Sequence, residues 1–481
     1  MTEETVPSVA ARHLPAERGG QNAEDTVPSV ASRHLPAERG GQNAEDTVPS
    51  VAGRHLPASG EDNASGAARH LPASGEDKKG PRPWTVFSSA SFRKLWAAQT
   101  FSLLGDFFSF VAMAWLVLQL TGSSLALGTV LLVQAVPRSL LMLVGGAMID
   151  RLGARVSMLG SMGLRVLLVA PLAILVVTGS AQLWELYVVS AGLGVVGAFF
   201  LPASRSILPR VVADHELEPG NAVMNVTNQV SVIVGPTLAG LVVAAFGTGW
   251  AFAADAACFA AGFLFVCWLP AIPSTVDALA QKRGLGNQIL AGFKYAWADA
   301  GIRSALFIIA AIDFGANGAF DVGLPTLAHG RFDAGAAGLG ILFGAAGVGA
   351  TAGALAGGMM TRPARMGWWL IGVAAWLGVT IGAVGLVPTL LPAAVLMAIA
   401  GVSAGAVNTF GISWLQRRTE PAMQGRVMSL VMLASVGLVP ITYAVSGAIA
   451  EVNPTALFLA AGGLMIASAA AAATSRTVRS I

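Results

Sequence analysis

The sequence predicts an all-α membrane protein in which twelve spanning helices form two pseudo-symmetric six-helix halves. Three observations predict it. Apolar stretches of membrane-crossing length follow one another from Leu95 to Ala473. Lysine and arginine gather in every second connection between them. The first six stretches are also echoed, motif for motif, by the last six.

The stretches run approximately over 95–120, 126–149, 156–178, 182–204, 221–246 and 250–270, then 303–327, 335–360, 366–387, 390–414, 426–450 and 454–474. Each supplies about 20 or more mostly apolar residues, enough to cross ~30 Å of hydrocarbon at 1.5 Å per residue. Past Trp84 the basic clusters are Arg93-Lys94, Arg151/Arg155, Arg205/Arg210, Lys282-Arg283 with Lys294/Arg303, Arg362/Arg365, Arg417-Arg418/Arg426 and Arg476/Arg479. The turns near Gly122, Gly179, Gly247, Pro388 and Asn453 carry none, and Arg331 alone breaks the pattern. Positive charge is retained on the cytoplasmic side, so both chain ends are expected there.

Composition agrees. Apolar residues make up 54% and charged residues 11%, far from a soluble domain. The net charge of +3 is a topology signal, and no basic patch interleaved with aromatics points to nucleic acid. Cys258 and Cys267 share one apolar segment and read as buried thiols. No metal or cofactor site is expected.

Four regions follow: 1–84, 85–270, 271–302 and 303–481. The first is a polar tail with a 21-residue tandem repeat starting at Thr5, Thr26 and Thr47. It is too poor in apolar residues to order itself, and it lacks a signal-peptide pattern. The region 271–302 links the halves and contains an amphipathic stretch from Ile289 to Trp297, expected to lie along the membrane surface. The halves repeat each other. Gly145-Gly146 before Arg151 and Arg155 matches Gly357-Gly358 before Arg362 and Arg365, and Pro236 has its counterpart in Pro440.

The connection after the second stretch reads Gly146-Ala-Met-Ile-Asp150-Arg151-Leu-Gly153-Ala154-Arg155. It resembles the G-x-x-x-D-R-x-G-R-[KR] signature of the major facilitator superfamily, with Ala154 where the family has a basic residue. Phe92 to Asp106, Leu201 to Arg210 and Gln416 to Val427 resemble its branch of enterobactin exporters and macrolide-efflux carriers. The resemblance covers 85–476. It implies the major facilitator fold, a monomer in the bacterial cytoplasmic membrane, and a secondary carrier rather than an enzyme. Gly146, Asp150, Arg151, Gly153 and Arg155 would form its cytoplasmic gate. Gly235-Pro236-x-x-Ala239-Gly240 is similar to the antiporter signature of drug exporters, with Ala222, Ser231 and Ala239 in place of glycines. The plainer reading of Gly235, Pro236 and Gly240 is a kinked packing helix.

Charges inside the spans are costly, at roughly 2.5–3.5 kcal/mol each, so each should face protein or water. Asp106 and Arg138 lie at similar depth on consecutive antiparallel helices, about 18 Å in, and are expected to pair. Asp106, Arg138 and Asp313 are the candidate proton-coupling residues. Gln134, Asn317 and Asn408 are the candidate cavity residues, Asn317 one turn from Asp313. Asp255 and Asp321 read as rim or cap residues, and Arg165 as a snorkelling structural cation. Gly401-Val-Ser403-Ala-Gly405 has the spacing of a nucleophile elbow, yet it sits in a span and reads as helix packing. No phosphate-binding loop is present in the sequence. The expected activity is proton-coupled efflux of a small hydrophobic or amphipathic molecule, with the lipid bilayer, protons and that small molecule as its partners. Import of a nutrient and a non-transporting sensor or scaffold are the alternatives.

Overall fold

The computed structural model describes residues 83–270, 293–359, 365–474 and 479, apart from the side chains of Pro83, 143–151, Leu201 and Ala422. The repeat tail, most of the linker and Arg362 therefore lie outside the described residues.

Twelve helices are long and apolar enough to cross a membrane. Spans 1 to 6 are Ala90–Thr121, Ser124–Leu152, Ala154–Val177, Leu183–Ile207, Leu217–Phe246 and Thr248–Cys267. Span 7 is composite: Ala300–Gly318 runs through a π-helical turn, Ala319–Gly323, into Leu324–His329. Spans 8, 9 and 10 are Gly335–Met359, Met366–Val384 and Leu390–Arg418. Span 11 is broken at Leu438 into Pro421–Gly437 and Val439–Val452, and span 12 is Pro454–Thr474. The helices thus fall where hydropathy places them. Span 1 starts five residues earlier than its apolar run because the Ser89 hydroxyl caps it, accepting from the Phe92 amide at 3.3 Å.

Small residues set the helix spacing. Lipid offers no hydrophobic driving force between spans, so close backbone approach supplies the packing. Gly401 and Gly405 of span 10 lie against the Ala346 and Ala350 carbonyls of span 8, which leave no space for a side chain. The Gly401-to-Gly405 motif is therefore a packing seam, and the Ser403 hydroxyl bonds back to the Ile399 carbonyl at 3.2 Å.

Two seams join the halves. Span 5 meets span 8: a Cβ on Gly240 would reach the Ala336 carbonyl oxygen at 2.5 Å, and Thr237 donates to the Gly340 carbonyl at 3.2 Å. Span 2 meets the outer part of span 11: a Cβ on Gly128 would stand 2.6 Å from the Tyr443 carbonyl oxygen and 2.7 Å from the Gly447 Cα. The ends of the halves are tied on the same face. Glu451 accepts from the Ser123 hydroxyl and the Leu125 amide, both at 2.9 Å, and the Trp115 and His329 rings meet edge to face at 5.1 Å. This is the face of the charge-poor turns, opposite the face where span 1 starts and span 12 ends.

The linker ends in a short helix, 293–298, ahead of span 7. Ala296 is buried against Leu415 and Val427, whereas Phe293 and Trp297 stack in the open at 5.1 Å. One face on the bundle and one exposed aromatic face suit an interfacial helix. Asp299 then caps span 7, accepting from Gly301 and Ile302 at 2.7 and 3.1 Å and pairing with Arg418 at 3.2 Å. Burial alone would push its carboxyl up, but the bonds from Ile302, Arg418 and Gly301 outweigh that and hold it below its ordinary value. A lowered folded value means that this stabilisation is complete above about pH 4 and fades as pH falls through the folded value. Asp299→Ala should therefore cost about 1 kcal/mol at neutral pH. In thermal unfolding of the detergent-solubilised protein, its deficit against the wild type should shrink in acid.

Candidate functional site

A cavity of about 1190 Å³ lies between the halves. Spans 1, 2, 4 and 5 contribute to its wall from one half, and spans 7, 8 and 11 from the other. Gln99, Arg205, Leu208 and Asn221 stand at its mouth, near the ends of spans 1, 4 and 5 on the face where span 1 starts and span 12 ends. Tyr443 and Asp321 close its floor beside the Gly128–Gly447 seam. The cavity is thus open toward the start of span 1 and the end of span 12, and closed toward the charge-poor turns.

Its surface is mixed. Phe107, Phe110, Met113, Phe200, Phe259 and Phe343 supply aromatic and thioether surface. Asn221, Asn225 and Asn228 form an exposed amide stripe on span 5, at the i, i+4, i+7 spacing of one helix face. That stripe was readable in the sequence as polar residues recurring at helical spacing, and the sequence analysis passed over it.

Asp106 does line the cavity, but its partner is Arg165 rather than Arg138. The Arg165 guanidinium donates to the Asp106 carboxylate at 2.5 Å. Equal depth put Asp106 and Arg138 level, but azimuth decides contact, and Arg165 of span 3 faces span 1. Arg165 does not snorkel: its side chain is 7% exposed and clamped between the Phe200 and Phe259 rings, 5.2 and 4.7 Å from their centroids. Asp106 is 47% exposed and belongs to the cavity wall.

Arg138 also lines the cavity, flanking Gly197 together with Arg165 and acting electrostatically on the Tyr443–Asp321 pair across the half interface. Tyr443 donates to the Asp321 carboxylate at 2.6 Å. Asp321 is therefore a floor residue and not part of a rim. It stands one turn beyond Asn317 on the Asp313–Asn317 face, at the π-helical turn, and all three line the cavity. Such turns are frequent at functional sites. Asp313 accepts a short bond from the Ser435 hydroxyl of span 11.

Among the cavity candidates, Gln134 and Asn317 line the wall, while Asn408 does not. Asn408 is exposed on span 10, a peripheral helix whose packing face is turned to span 8. Asp255 is likewise no rim residue. It is fully buried within the first half, beside Gly105.

Around the loop signature, Gly153 holds φ +85°, a conformation that calls for glycine, as span 3 begins. Arg155 caps span 6, donating to the Val266 and Cys267 carbonyls at 3.3 and 2.8 Å. Gly146, Asp150 and Arg151 lie in the last turns of span 2, and their side chains are outside the described residues. The span-five motif is a packing surface: Gly235 backs onto the Phe107 ring, and the Pro236 carbonyl faces Gly340 of span 8.

Two six-helix halves around one cavity, with these signatures, define a secondary transporter. Residues 95–441 match the family model of the Major Facilitator Superfamily, and the chain belongs to that superfamily. The multidrug efflux pump Tap of Mycolicibacterium fortuitum is 27% identical over 361 residues, 72% of this chain and 86% of that one. The enterobactin exporter EntS of Escherichia coli is 26% identical over 329 residues, 68% of this chain and 77% of that one. The uncharacterized MFS-type transporter y4rN of Sinorhizobium fredii is 26% identical over 286 residues, and the match spans 66% of its length. In fold, the chain is similar to the nucleoside transporter NupG, with a TM-score of 0.65 at 15% identity over 80% of this chain and 98% of that one. A bacterial homologue of the iron transporter ferroportin in an inward-facing state gives 0.58 at 16% identity, covering 80% and 97%. The protein is thus a multi-pass transporter of small molecules.

Proposed function

We propose that this transporter exports a small hydrophobic or amphipathic molecule in exchange for protons, by alternating access, from the cytoplasm of a bacterium. In this reading it acts as a monomer with both chain ends in the cytoplasm. The observation that carries it is the central cavity, whose mixed wall combines aromatic side chains with a carboxylate–guanidinium pair. Aromatic and thioether surface receives apolar cargo, and the amide stripe and charged groups bind its polar parts. The carboxylates of Asp106, Asp313 and Asp321 give protons a place to bind and neutralise a cavity charge. Neutralisation changes the relative stability of the two access states, which is what coupling requires. The efflux pump Tap and the exporter EntS among the relatives favour the export direction over import.

Everted membrane vesicles test the reading. Respiring vesicles should accumulate a lipophilic cationic dye in their lumen, and a protonophore should abolish the accumulation. Protonophore-insensitive movement, or uptake confined to right-side-out vesicles, would contradict it. Orientation has its own check. In a background free of Cys258 and Cys267, Gly247→Cys should react with an impermeant thiol reagent in intact cells and Gly284→Cys should not. Equal labelling of both from outside would contradict this topology.

A further inference from the structure

Behind the Asp106–Arg165 pair lies a second carboxyl group, that of Asp255. Asp255 of span 6 is 0% exposed; neither oxygen makes a hydrogen bond of good geometry among the described residues, and the polar group facing it is the Ser109 hydroxyl of span 1. It is seated in a made place. A Cβ on Gly105 would come within 2.9 Å of Asp255 Oδ1 and 3.2 Å of the Phe259 ring, so span 1 must carry glycine there. Asp106 and Arg165 both act electrostatically on it. Arg165 in turn keeps a buried Nε without a partner, while its Nη1 holds Asp106. One cluster thus contains a buried guanidinium N–H without an acceptor and a buried carboxyl faced by no donor stronger than a hydroxyl.

Charge decides what such a cluster can be. A guanidinium stays protonated, so Arg165 contributes one fixed positive charge. Two ionised carboxyls beside it would leave one buried negative charge uncompensated, at a cost of several kcal/mol. The neighbouring groups do not supply it. Arg138 is next to Arg165 across Gly197 but acts on Asp321, and Cys258 on span 6 is a thiol. Span 5 carries no ionisable side chain beyond Glu218 at its start. With one proton on its two carboxyls the cluster would be neutral.

We propose that Asp106 and Asp255 share one exchangeable proton across Arg165, so that the buried Asp255 is part of the coupling site. In the conformation described, the guanidinium donates to the Asp106 carboxylate and Asp255 carries the proton. In the exchanged form the guanidinium donates to the Asp255 carboxylate, and the proton sits on Asp106 at the cavity surface. Both forms hold one proton, one negative and one positive charge. The proton can therefore move between the buried Asp255 and the cavity-facing Asp106 without changing the net charge of the cluster or leaving Arg165 unpaired. The coupling role rests on the proton-exchange reading above; the shared proton itself does not.

Infrared spectroscopy of the purified, full-length protein in lipid nanodiscs tests it at neutral pH, comparing protonated-carboxyl C=O bands between variants of unchanged elution profile. Asp255→Asn should lose one such band. Asp106→Asn should also lose one, because the only remaining carboxyl then pairs with Arg165 and ionises. Arg165→Gln should keep one, on the buried Asp255, while the half-exposed Asp106 ionises, so the double variant Asp106→Asn/Arg165→Gln should regain the band that Asp106→Asn loses. A band retained in Asp106→Asn would make Asp255 a permanently protonated structural acid, and a band retained in Asp255→Asn would put the proton elsewhere. Either result overturns the proposal, as does a double variant Asp106→Asn/Arg165→Gln that lacks the band. If Asp255→Asn does not accumulate, Asp255→Ala reads the same loss. The bands need no transport, so export without proton movement would remove the proton-exchange function and leave the shared proton standing.

Discussion

Asp106→Asn is expected to abolish proton-driven accumulation in everted vesicles while leaving substrate binding measurable. The amide reproduces the size and hydrogen-bonding capacity of the protonated acid but cannot ionise, so the carrier is held in one protonation state. Removing one partner of a buried ion pair ordinarily costs about 3–5 kcal/mol, because the other charge is left unpaired. Here the cost should be smaller. Asp106 is half exposed, and Asp255 stands close enough to act on Arg165 in its place. The variant should therefore reach the membrane in near-normal amount, which separates a coupling defect from a folding defect. A merely structural bridge predicts the opposite pattern: less folded protein, and normal proton coupling in whatever folds. Coupled efflux by well-expressed Asp106→Asn would end the assignment, and Asp313 would become the next carboxylate to replace.

Gly128→Val is expected to spring the floor of the cavity open. Even the first carbon of a side chain at this position would lie 2.6 Å from the Tyr443 carbonyl oxygen and 2.7 Å from the Gly447 Cα. Both obstacles are backbone, so no side-chain rotation relieves them, and spans 2 and 11 must separate. Overpacking of this kind costs about 1–3 kcal/mol. It acts only on the state in which the seam is closed, and so shifts the access equilibrium roughly 5- to 150-fold toward the state open on the charge-poor face. Turnover should fall by about an order of magnitude or more, because the cycle must return through the closed seam. Spin labels at Gly122→Cys and Asn453→Cys, in a background free of Cys258 and Cys267, would read the separation directly. A distance distribution unchanged by Gly128→Val would mean that the seam does not set the equilibrium.

Much of this architecture is legible in the sequence because lipid imposes it. A helix that must satisfy its backbone inside hydrocarbon needs a long apolar run, and twelve such runs are easy to count. Small-residue motifs also read through, since Gly401, Gly405 and Gly240 pack where the chain must approach another backbone. The interior polar network was harder. Depth along a span can be counted in residues, but rotation about its axis cannot be fixed without knowing the neighbouring helices. That gap assigned Asp106 the wrong arginine and placed Asn408 on the cavity. Asp255 and Asp321 lie toward the outer part of their spans, so depth alone made them rim residues. Asp321 could have been recovered, since it continues the Asp313–Asn317 face by one turn. For Asp255 no such periodic signal exists; its meaning comes from Gly105 and Arg165 on other helices.

The central claim is that outward movement of the cargo is exchanged for inward movement of protons. The most direct test is reconstitution into proteoliposomes that hold a membrane-impermeant pH dye and have no imposed proton gradient. Carriers facing each way contribute, so one cytoplasmic-side population is first silenced by an impermeant reagent on a single introduced loop cysteine. A substrate gradient applied across the membrane should then drive protons in the opposite direction to the substrate, and Asp106→Asn should move none. Substrate movement without a pH change in wild-type vesicles, or protons travelling in the same direction as the substrate, would contradict the account.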